Sequence, residues 1–208
     1  MPTPGEDHHL AERFRLDGYL RAPRILPQPV LDYLRVYYRI LRANNRLAPD
    51  EHCPNSPAAY GDPALDAVLE WLRPEVGRQV GCDLASTFSF TRLYAKDEVL
   101  ERHTDRPECE VSVSICIERP GDAGPSVLRL KSLAGDEAAV EMREGDGCIY
   151  AGRDVEHWRE PVPADGYVQL FLHYIRVDGK QFPQRVFDGR AFLGAPSAGP
   201  DGPAAATR

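Results

Sequence analysis

Apolar residues recur at helical spacing over the first part of the chain and predict two helices. In the stretch PQPVLDYLRVYYRILRANN, the apolar residues that share one helix face are Val30, Leu31, Leu34, Tyr37, Tyr38 and Leu41. Pro29 suits the first turn of this helix. A second helix is predicted to begin after Asp62, whose side chain would cap it, with Pro63 in the first turn. Pro74 is expected to break or kink this helix before a short continuation.

The pattern changes from helical to alternating after Gly81, and the alternation predicts eight short strands. In chain order these are STFSFTRLY, EVLERH, CEVSVSICIE, SVLRLKS, AAVEM, GCIYAG, VEHWREPV and YVQLFLHYIRV. Within VSVSICI, the Val and Ile residues share one face, while Ser112, Ser114 and Cys116 share the other. Eight short, evenly spaced strands favour a double-stranded β-helix, or jelly roll, of two packed antiparallel sheets. Helices that cover the outside of one sheet would make the fold α+β and mainly β.

We expect one domain with three segments, because 208 residues suffice for a single large domain. Residues 1–83 would form a helical layer that packs on the sheet, and residues 84–180 the jelly-roll core that carries the chemistry. Residues 181–208 would form a C-terminal extension that is partly loose, because its sequence becomes rich in Gly, Pro and Ala.

The charge and composition exclude several classes of partner. The net charge is −7 and the Lys and Arg residues are scattered, so no nucleic-acid partner is expected. No apolar stretch approaches the roughly 20 residues that span a bilayer, and the polar start MPTPGEDHHLAER does not resemble a signal peptide. The His8-His9 pair in it is interpreted as part of a solvated tail. Five cysteines without CxxC spacing favour free thiols and a cytoplasmic location.

Two metal-capable side chains separated by one residue stand in HTDRPEC, at the end of a predicted strand. On a strand, His103 and Asp105 point to the same face and can converge on one point. His157, on the predicted strand VEHWREPV, is the candidate for a third ligand from a neighbouring strand. Two imidazoles and one carboxylate on one face of an octahedral ion form the facial triad of non-haem iron(II) oxygenases. Alternatively, His103 and Asp105 are structural polar residues at a strand end, the interpretation that an HxD pair alone favours.

Four segments together resemble a known group of enzymes. RLYAKDEVLERHTDRPECEVSVS, GDGCIYAG, HWREPV and QLFLHY are similar to the iron(II)/2-oxoglutarate-dependent dioxygenases, in particular to the bacterial branch that resembles prolyl 4-hydroxylases. The resemblance implies that His103, Asp105 and His157 hold Fe(II), with 2-oxoglutarate as cosubstrate and molecular oxygen as oxidant. It also implies hydroxylation of an unactivated C–H bond, with release of succinate and carbon dioxide. Asp105 favours hydroxylation over halogenation, because the related halogenases carry a small residue in its place.

The chain departs from this family where a basic residue normally holds the distal carboxylate of 2-oxoglutarate. In the prolyl-hydroxylase-like members an Arg or Lys lies about ten residues after the second iron histidine, but here Tyr167, Val168 and Gln169 occupy that stretch. Arg159 is our preferred substitute, because it lies two residues after His157 and so faces the same side of the strand. The alternative is that Arg159 is a surface or sheet-packing residue.

Four further residues are candidates for contact with the cosubstrate. Arg92 and Tyr94 form another pair on one strand face, and the resemblance implies that the Tyr94 hydroxyl contacts 2-oxoglutarate. Gln169 and His173 share a face of the last strand and could donate hydrogen bonds to the same carboxylate, or orient a metal ligand. His173 alone is more simply an interior histidine than a ligand. Arg106 is expected to pair with Glu110 and to fix the strand end; the alternative is a direct contact with the substrate.

The substrate is expected to be a small molecule or an amino-acid or peptidyl group, with the small molecule favoured. Two hypotheses of other classes remain open at this point. One is a non-catalytic jelly-roll module that binds a sugar or a peptide. The other is a cupin-type metalloprotein, which is less favoured because cupins typically carry an HxH pair followed by Glu.

Overall fold

The computed structural model describes residues 4–50, 53–121 and 123–196. The helices are α1 (Pro4–Asp17), α2 (Gln28–Ala43) and α3 (Pro63–Val80), and a 3-10 turn covers Val186–Gly189. The strands are β1 (Tyr19–Ala22), β2 (Ala58–Tyr60), β3 (Leu84–Tyr94), β4 (Leu100–His103), β5 (Val111–Glu118), β6 (Ser126–Lys131), β7 (Glu137–Met142), β8 (Gly147–Tyr150), β9 (His157–Arg159) and β10 (Tyr167–Arg176). All eight strands that the alternation predicts are present.

Two antiparallel sheets face each other. The larger has the order β1-β8-β5-β10-β3-β2 and the smaller the order β4-β9-β6-β7, so that β3 to β10 contribute four strands to each sheet. This arrangement confirms the predicted jelly roll. Strands β1 and β2, at the two edges of the larger sheet, were not predicted, because runs of four and three residues are too short to show a period.

The helical layer covers the outer face of the larger sheet, as predicted. Leu34 of α2 and Leu69 of α3 are fully buried in a cluster that also contains Val113 and Ile115 of β5 and Leu170 of β10. The opposite face of β5 points between the sheets, where Cys116 packs in a second cluster with apolar side chains of β6, β7 and β8. The metal-capable residues lie between the sheets, on the side that the helices do not cover.

One prediction about the helices is confirmed and two are corrected. The Asp62 side chain accepts hydrogen bonds from the backbone N–H groups of Ala64 and Leu65, so it caps α3 as predicted. Pro74 does not break α3, because apolar side chains buried on both sides of it compensate for the missing backbone hydrogen bond. His8 lies exposed on α1 rather than in a tail.

The described part of the predicted C-terminal extension is tied to the core. Arg190 donates from Nη1 to Asp66 Oδ2 at 2.8 Å, and both side chains are almost completely buried. The stretch from residue 197 onwards lies outside the described residues. Among the described helices, none combines the length and apolar character that crossing a bilayer requires. All five cysteines are free thiols, as the sequence predicts.

Candidate metal centre and cosubstrate site

The paired strands β4 and β9 bring the two candidate histidines together. His103 and His157 are direct partners in the antiparallel ladder, and their ring centroids lie 4.3 Å apart. Asp105 follows the end of β4, and its backbone N–H donates to the carbonyl of Gly152 at 2.7 Å. A side chain on Gly152 would collide with the Asp105 carboxylate, so the glycine in YAG is needed for this close approach. The pairing of the strands therefore unites residues 54 positions apart (157 − 103).

The ligand atoms of the three residues face one point. Asp105 Oδ1 lies 3.6 Å from His103 Nε2 and 3.4 Å from His157 Nε2, and all three atoms are within 4.8 Å of one another. Two atoms bound at right angles to one first-row metal are about 3 Å apart, so small rotations of the side chains would complete the set. The donor set and its spacing therefore fit the facial triad.

Backbone carbonyls determine which imidazole nitrogen faces the centre. Nδ1 of His103 lies 2.7 Å from the carbonyl of Glu101, and Nδ1 of His157 lies 2.9 Å from the carbonyl of Val155. Because a carbonyl only accepts, each Nδ1 carries the proton in these bonds. Each Nε2 of the neutral ring then presents its lone pair to the centre, as a metal ligand must.

The carboxylate of Asp105 is ionised although it is buried. Burial alone would raise its pKa, but the neighbouring His157 and His103 side chains lower the pKa by more than burial raises it. The resulting pKa lies well below the ordinary value. For His103, burial lowers the pKa, while the contacts with Asp105 and with the Glu101 carbonyl raise it above the ordinary value. The hydroxyl of Ser112 donates to Asp105 Oδ2 at 3.0 Å and holds the carboxylate in place.

The triad forms part of the wall of a cavity of about 210 Å³. The other lining residues are Tyr60, Phe88, Phe90, Arg92, Tyr94, Leu100, Glu101, Thr104, Arg106, Cys109, Tyr150, Phe171 and His173. Most of these are aromatic or aliphatic, so the site is a largely apolar pocket with a few polar groups, as is usual for small-molecule sites.

Arg159 is buried beside this cavity with part of its guanidinium unused. Its Nη1 donates to the hydroxyl of Ser126 at 2.7 Å, but its Nε and Nη2 have no hydrogen-bond partner among the described residues. The guanidinium carbon lies 4.9 Å from the centre of the Tyr94 ring, and the buried Tyr94 hydroxyl makes no hydrogen bond of good geometry with the described residues. Burial raises the pKa of Tyr94, and its contact with Arg159 opposes this rise. Buried donors without a full set of partners fit a carboxylate, which would accept from them.

Arg92 faces a different partner. Its guanidinium makes a bidentate ion pair with Asp50, with distances of 2.6 Å and 3.1 Å, and it also donates to the carbonyl of Ser56 at 3.2 Å. Arg92 therefore anchors the loop before β2 to β3. Of the two predicted arginines, Arg159 is the one with donors left for a cosubstrate.

Gln169 and His173 lie on the same face of β10, as predicted, at different distances from the centre. Gln169 donates from Nε2 to Ser114 at 3.0 Å, and its Oε1 has no partner among the described residues. His173 Nδ1 lies 2.9 Å from the hydroxyl of Ser112, the residue that donates to Asp105. Burial lowers the pKa of His173 to about 4, so its ring is neutral at neutral pH. His173 is thus linked through the hydroxyl of Ser112 to the carboxylate of Asp105, and Ser112 is a residue that the sequence analysis did not single out.

Solved structures of known proteins share this architecture. A prolyl-4-hydroxylase from Pseudomonas putida is 18% identical, with a TM-score of 0.65 over 82% of this chain and 99% of that one. An oxidoreductase of the 2OG-Fe(II) oxygenase family from Burkholderia pseudomallei is 18% identical, with a TM-score of 0.63 over 86% of this chain and 94% of that one. The alpha-ketoglutarate-dependent epimerase SnoN of nogalamycin biosynthesis is 13% identical, with a TM-score of 0.72 over 95% of each chain. This chain has the 2OG-Fe(II) oxygenase fold. Neither a protein-family model nor a curated protein matches the sequence.

The predicted ion pair between Arg106 and Glu110 is wrong. Arg106 does not pair with Glu110; it makes a bidentate ion pair with Asp188 at 2.9 Å and 2.5 Å and lies 3.4 Å from Glu108. Glu110 instead contacts Arg153 at 3.3 Å. The reason is that the chain between Asp105 and β5 turns towards the C-terminal segment, a contact between positions 82 residues apart that no local pattern contains.

A second group of potential ligands shares Asp105. Its members are Asp105, Cys109 and His173, whose ligand atoms also lie within 4.8 Å of one another. Burial raises the pKa of the Cys109 thiol well above its ordinary value, which keeps the thiol protonated and makes it a poor metal ligand. The His103, Asp105 and His157 group is therefore the better metal site.

Proposed function

We propose that this protein is an iron(II)- and 2-oxoglutarate-dependent dioxygenase that hydroxylates an unactivated C–H bond of a small molecule or of an amino-acid or peptidyl substrate. The observation that carries the proposal is the convergence of His103 Nε2, Asp105 Oδ1 and His157 Nε2 on the wall of an apolar cavity. When bound there, iron and 2-oxoglutarate supply the activation of oxygen that the side chains themselves cannot perform.

The triad residues would hold the ion on one side only. All three ligands come from β4, the turn after it and β9, so the cavity side remains open for a cosubstrate and for oxygen. The carbonyls of Glu101 and Val155 keep both histidines in the ligating tautomer. Ser112 and His173 fix the carboxylate of Asp105. These contacts reduce the reorganisation that metal binding requires.

Arg159 and Tyr94 would bind the distal carboxylate of 2-oxoglutarate. Two donor atoms of the guanidinium and the hydroxyl of Tyr94 have no hydrogen-bond partner of good geometry among the residues that the structure describes, and both groups are buried. SnoN, which shares the fold, has been solved in complex with Fe3+ and alpha-ketoglutarate. Gln169 is the direct ladder partner of Arg92 and donates to Ser114. Its amide would add a further hydrogen bond to the cosubstrate carboxylate.

Two buried aromatic rings shield one side of the reacting centre from water. Phe88 and Tyr150 are almost completely buried, and their rings lie 4.4 Å from the ring of His173 and 4.6 Å from that of His157, respectively. An apolar environment strengthens the electrostatic contacts of the triad and limits side reactions of reactive species.

The experiment that tests this function is anaerobic addition of iron(II) and 2-oxoglutarate to the purified protein. We expect the visible charge-transfer band of the chelate, and succinate after oxygen is admitted. The variant His157→Ala should lose the band, while His9→Ala, an exposed histidine on α1, should retain it. Absence of the band in the wild-type protein, together with absence of succinate, would refute the proposal.

A non-catalytic binding module remains the alternative, and the same variants separate it from the oxygenase. For a binding module, Asp105→Ala leaves ligand binding intact and no succinate forms in either protein. For the oxygenase, Asp105→Ala abolishes iron-dependent succinate formation.

A further inference from the structure

The wall of the cavity opposite the triad is built from aromatic rings. Phe88 and Phe90 share one face of β3, and Phe171 of β10 is the direct ladder partner of Phe90. The rings of Phe90 and Phe171 lie 6.1 Å apart, and Tyr60 stacks on Phe88 at 5.1 Å. Leu100 continues the apolar surface from the smaller sheet. A substrate that reaches the metal centre must therefore lie against these rings.

The arginines in this wall are already neutralised by the protein. Arg92 is paired with Asp50 at 2.6 Å, and the side chains are 5% and 17% exposed. Arg106 is paired with Asp188 at 2.5 Å, and the side chains are 13% and 4% exposed. The carboxylate of Glu101, the remaining charged residue outside the triad, belongs to an exposed residue at the rim.

Nε of Arg106 has no partner among the described residues, but both guanidinium groups already have a carboxylate partner, so a charged group of the substrate would have to compete with an ion pair that the protein supplies. Separation of such a pair leaves an uncompensated charge in an apolar pocket and is strongly unfavourable. A flat apolar ring, by contrast, gains from burial and from offset or tilted contacts with the rings of Phe90 and Phe171. The cavity thus discriminates against charge and in favour of flat apolar groups.

We propose that the substrate is an uncharged small molecule with a flat apolar ring system, aromatic or fused carbocyclic. This inference rests on the proposed function, because it assigns a substrate to the same site. This assignment disfavours free amino acids and phosphorylated or otherwise charged metabolites. It favours a small molecule over a peptidyl substrate.

Three probes with the same ring system test this inference by isothermal titration calorimetry. They are 2-naphthalenemethanol, which is neutral, 2-naphthylmethylammonium and 2-naphthoate. The alcohol is titrated into the metal-free protein, and all three probes into the protein loaded anaerobically with iron(II) and 2-oxoglutarate, in which the metal neutralises the carboxylate of Asp105 that would otherwise attract the ammonium. Loading covers Arg159 and the metal, which would otherwise attract the naphthoate. We expect the alcohol to bind about tenfold more tightly than either charged probe.

One variant and its control identify where the probe binds, and a third variant tests the effect of charge. Phe90→Leu should weaken binding of the alcohol about fivefold by removing one ring, while Phe192→Leu, at a side chain 62% exposed on the surface, should leave it unchanged. Asp188→Asn should strengthen binding of the naphthoate, because it removes the closer of the two carboxylates beside Arg106 and leaves Glu108 at 3.4 Å. The ranking of the probes on the wild-type protein does not depend on how well either variant folds.

Equal binding of a charged probe and the alcohol, or an unchanged affinity in a folded Phe90→Leu variant, would overturn the inference. The titration of the metal-free protein needs neither iron nor oxygen. Binding of the alcohol that Phe90→Leu weakens, in a protein that forms no iron chelate, would therefore refute the proposed function and leave the assigned binding site intact. A normal chelate in a protein that does not bind the alcohol would support the proposed function and refute the assigned substrate class.

Discussion

Replacement of Arg159 by methionine separates cosubstrate binding from folding. Arg159 is 2% exposed, and among the described residues only its Nη1 has a hydrogen-bond partner, the hydroxyl of Ser126. Its charge is therefore buried with no ion pair to a carboxylate in the part of the chain that the structure describes. Methionine has a similar length and an apolar side chain, so Arg159→Met removes the charge while filling much of the space.

We expect Arg159→Met to weaken the binding of 2-oxoglutarate without lowering the free energy of unfolding. Loss of two charge-assisted hydrogen bonds from Arg159 Nε and Nη2 should cost about 3 kcal/mol, or about a hundredfold in the dissociation constant for 2-oxoglutarate. The free energy of unfolding of the ligand-free protein should stay the same or rise by about 1 kcal/mol, because removal of an uncompensated buried charge outweighs the lost bond to Ser126.

Two measurements on each protein check these signs. Urea unfolding without ligand measures the free energy of unfolding, and calorimetric titration of 2-oxoglutarate into the anaerobic iron(II) protein measures affinity. Arg92→Met is the matched control, since Arg92 is equally buried but paired with Asp50. That variant should lose about 3 kcal/mol of stability and keep its affinity for 2-oxoglutarate if it folds.

A destabilised Arg159→Met protein with unchanged affinity would refute the reasoning. Arg159 would then be a packing residue, and the anchor for the distal carboxylate would have to be sought elsewhere in the cavity. Loss of affinity in Arg92→Met together with retention in Arg159→Met would assign the role to Arg92 instead.

Three further predictions concern the supports of the metal centre and of the fold. Ser112→Ala should lower the affinity for iron(II) about tenfold, measured by metal titration, because it removes the hydrogen bond that orients Asp105. Gly152→Ala should reduce iron(II) affinity in the same titration, since its methyl group would displace the Asp105 carboxylate; unchanged affinity would show that the turn yields freely. Asp66→Asn should lower the free energy of urea unfolding by about 3 kcal/mol, because it leaves the buried charge of Arg190 unpaired, and a much smaller loss would mean that water reaches this pair.

Local patterns sufficed for most of the fold. Alternation in VSVSICI separates the Val and Ile side chains, which pack under the helices, from Ser112 and Cys116, which point between the sheets. The cap at Asp62 was equally visible, because a cap depends on neighbours along the chain. The edge strands β1 and β2 were missed, because their formation depends on partners far away in the sequence rather than on their own period.

The candidate site was likewise predicted in part from the sequence and completed only by the structure. The alternation rule placed His103 and Asp105 on one side, but only the ladder between β4 and β9 brings His157 to them. Arg92 and Arg159 look equivalent as sequence, since each lies on the inward face of a strand. The structure separates them, because Asp50 reaches Arg92 while Arg159 retains unused donors.

The sequence by itself determined where the eight strands of the jelly roll lie along the chain and which side chains share a face of each strand. It also determined the helical layer and the residue types able to hold a metal. These depend on the periods of the backbone and on the chemistry of single side chains, which act over a few residues. Only the tertiary structure decided that Asp50 and Asp188 neutralise Arg92 and Arg106 in the cavity wall, while Arg159 beside the cavity keeps donors that have no partner among the described residues. Pairing of charges and enclosure of a cavity depend on contacts between distant segments, which exist only once the two sheets have packed together.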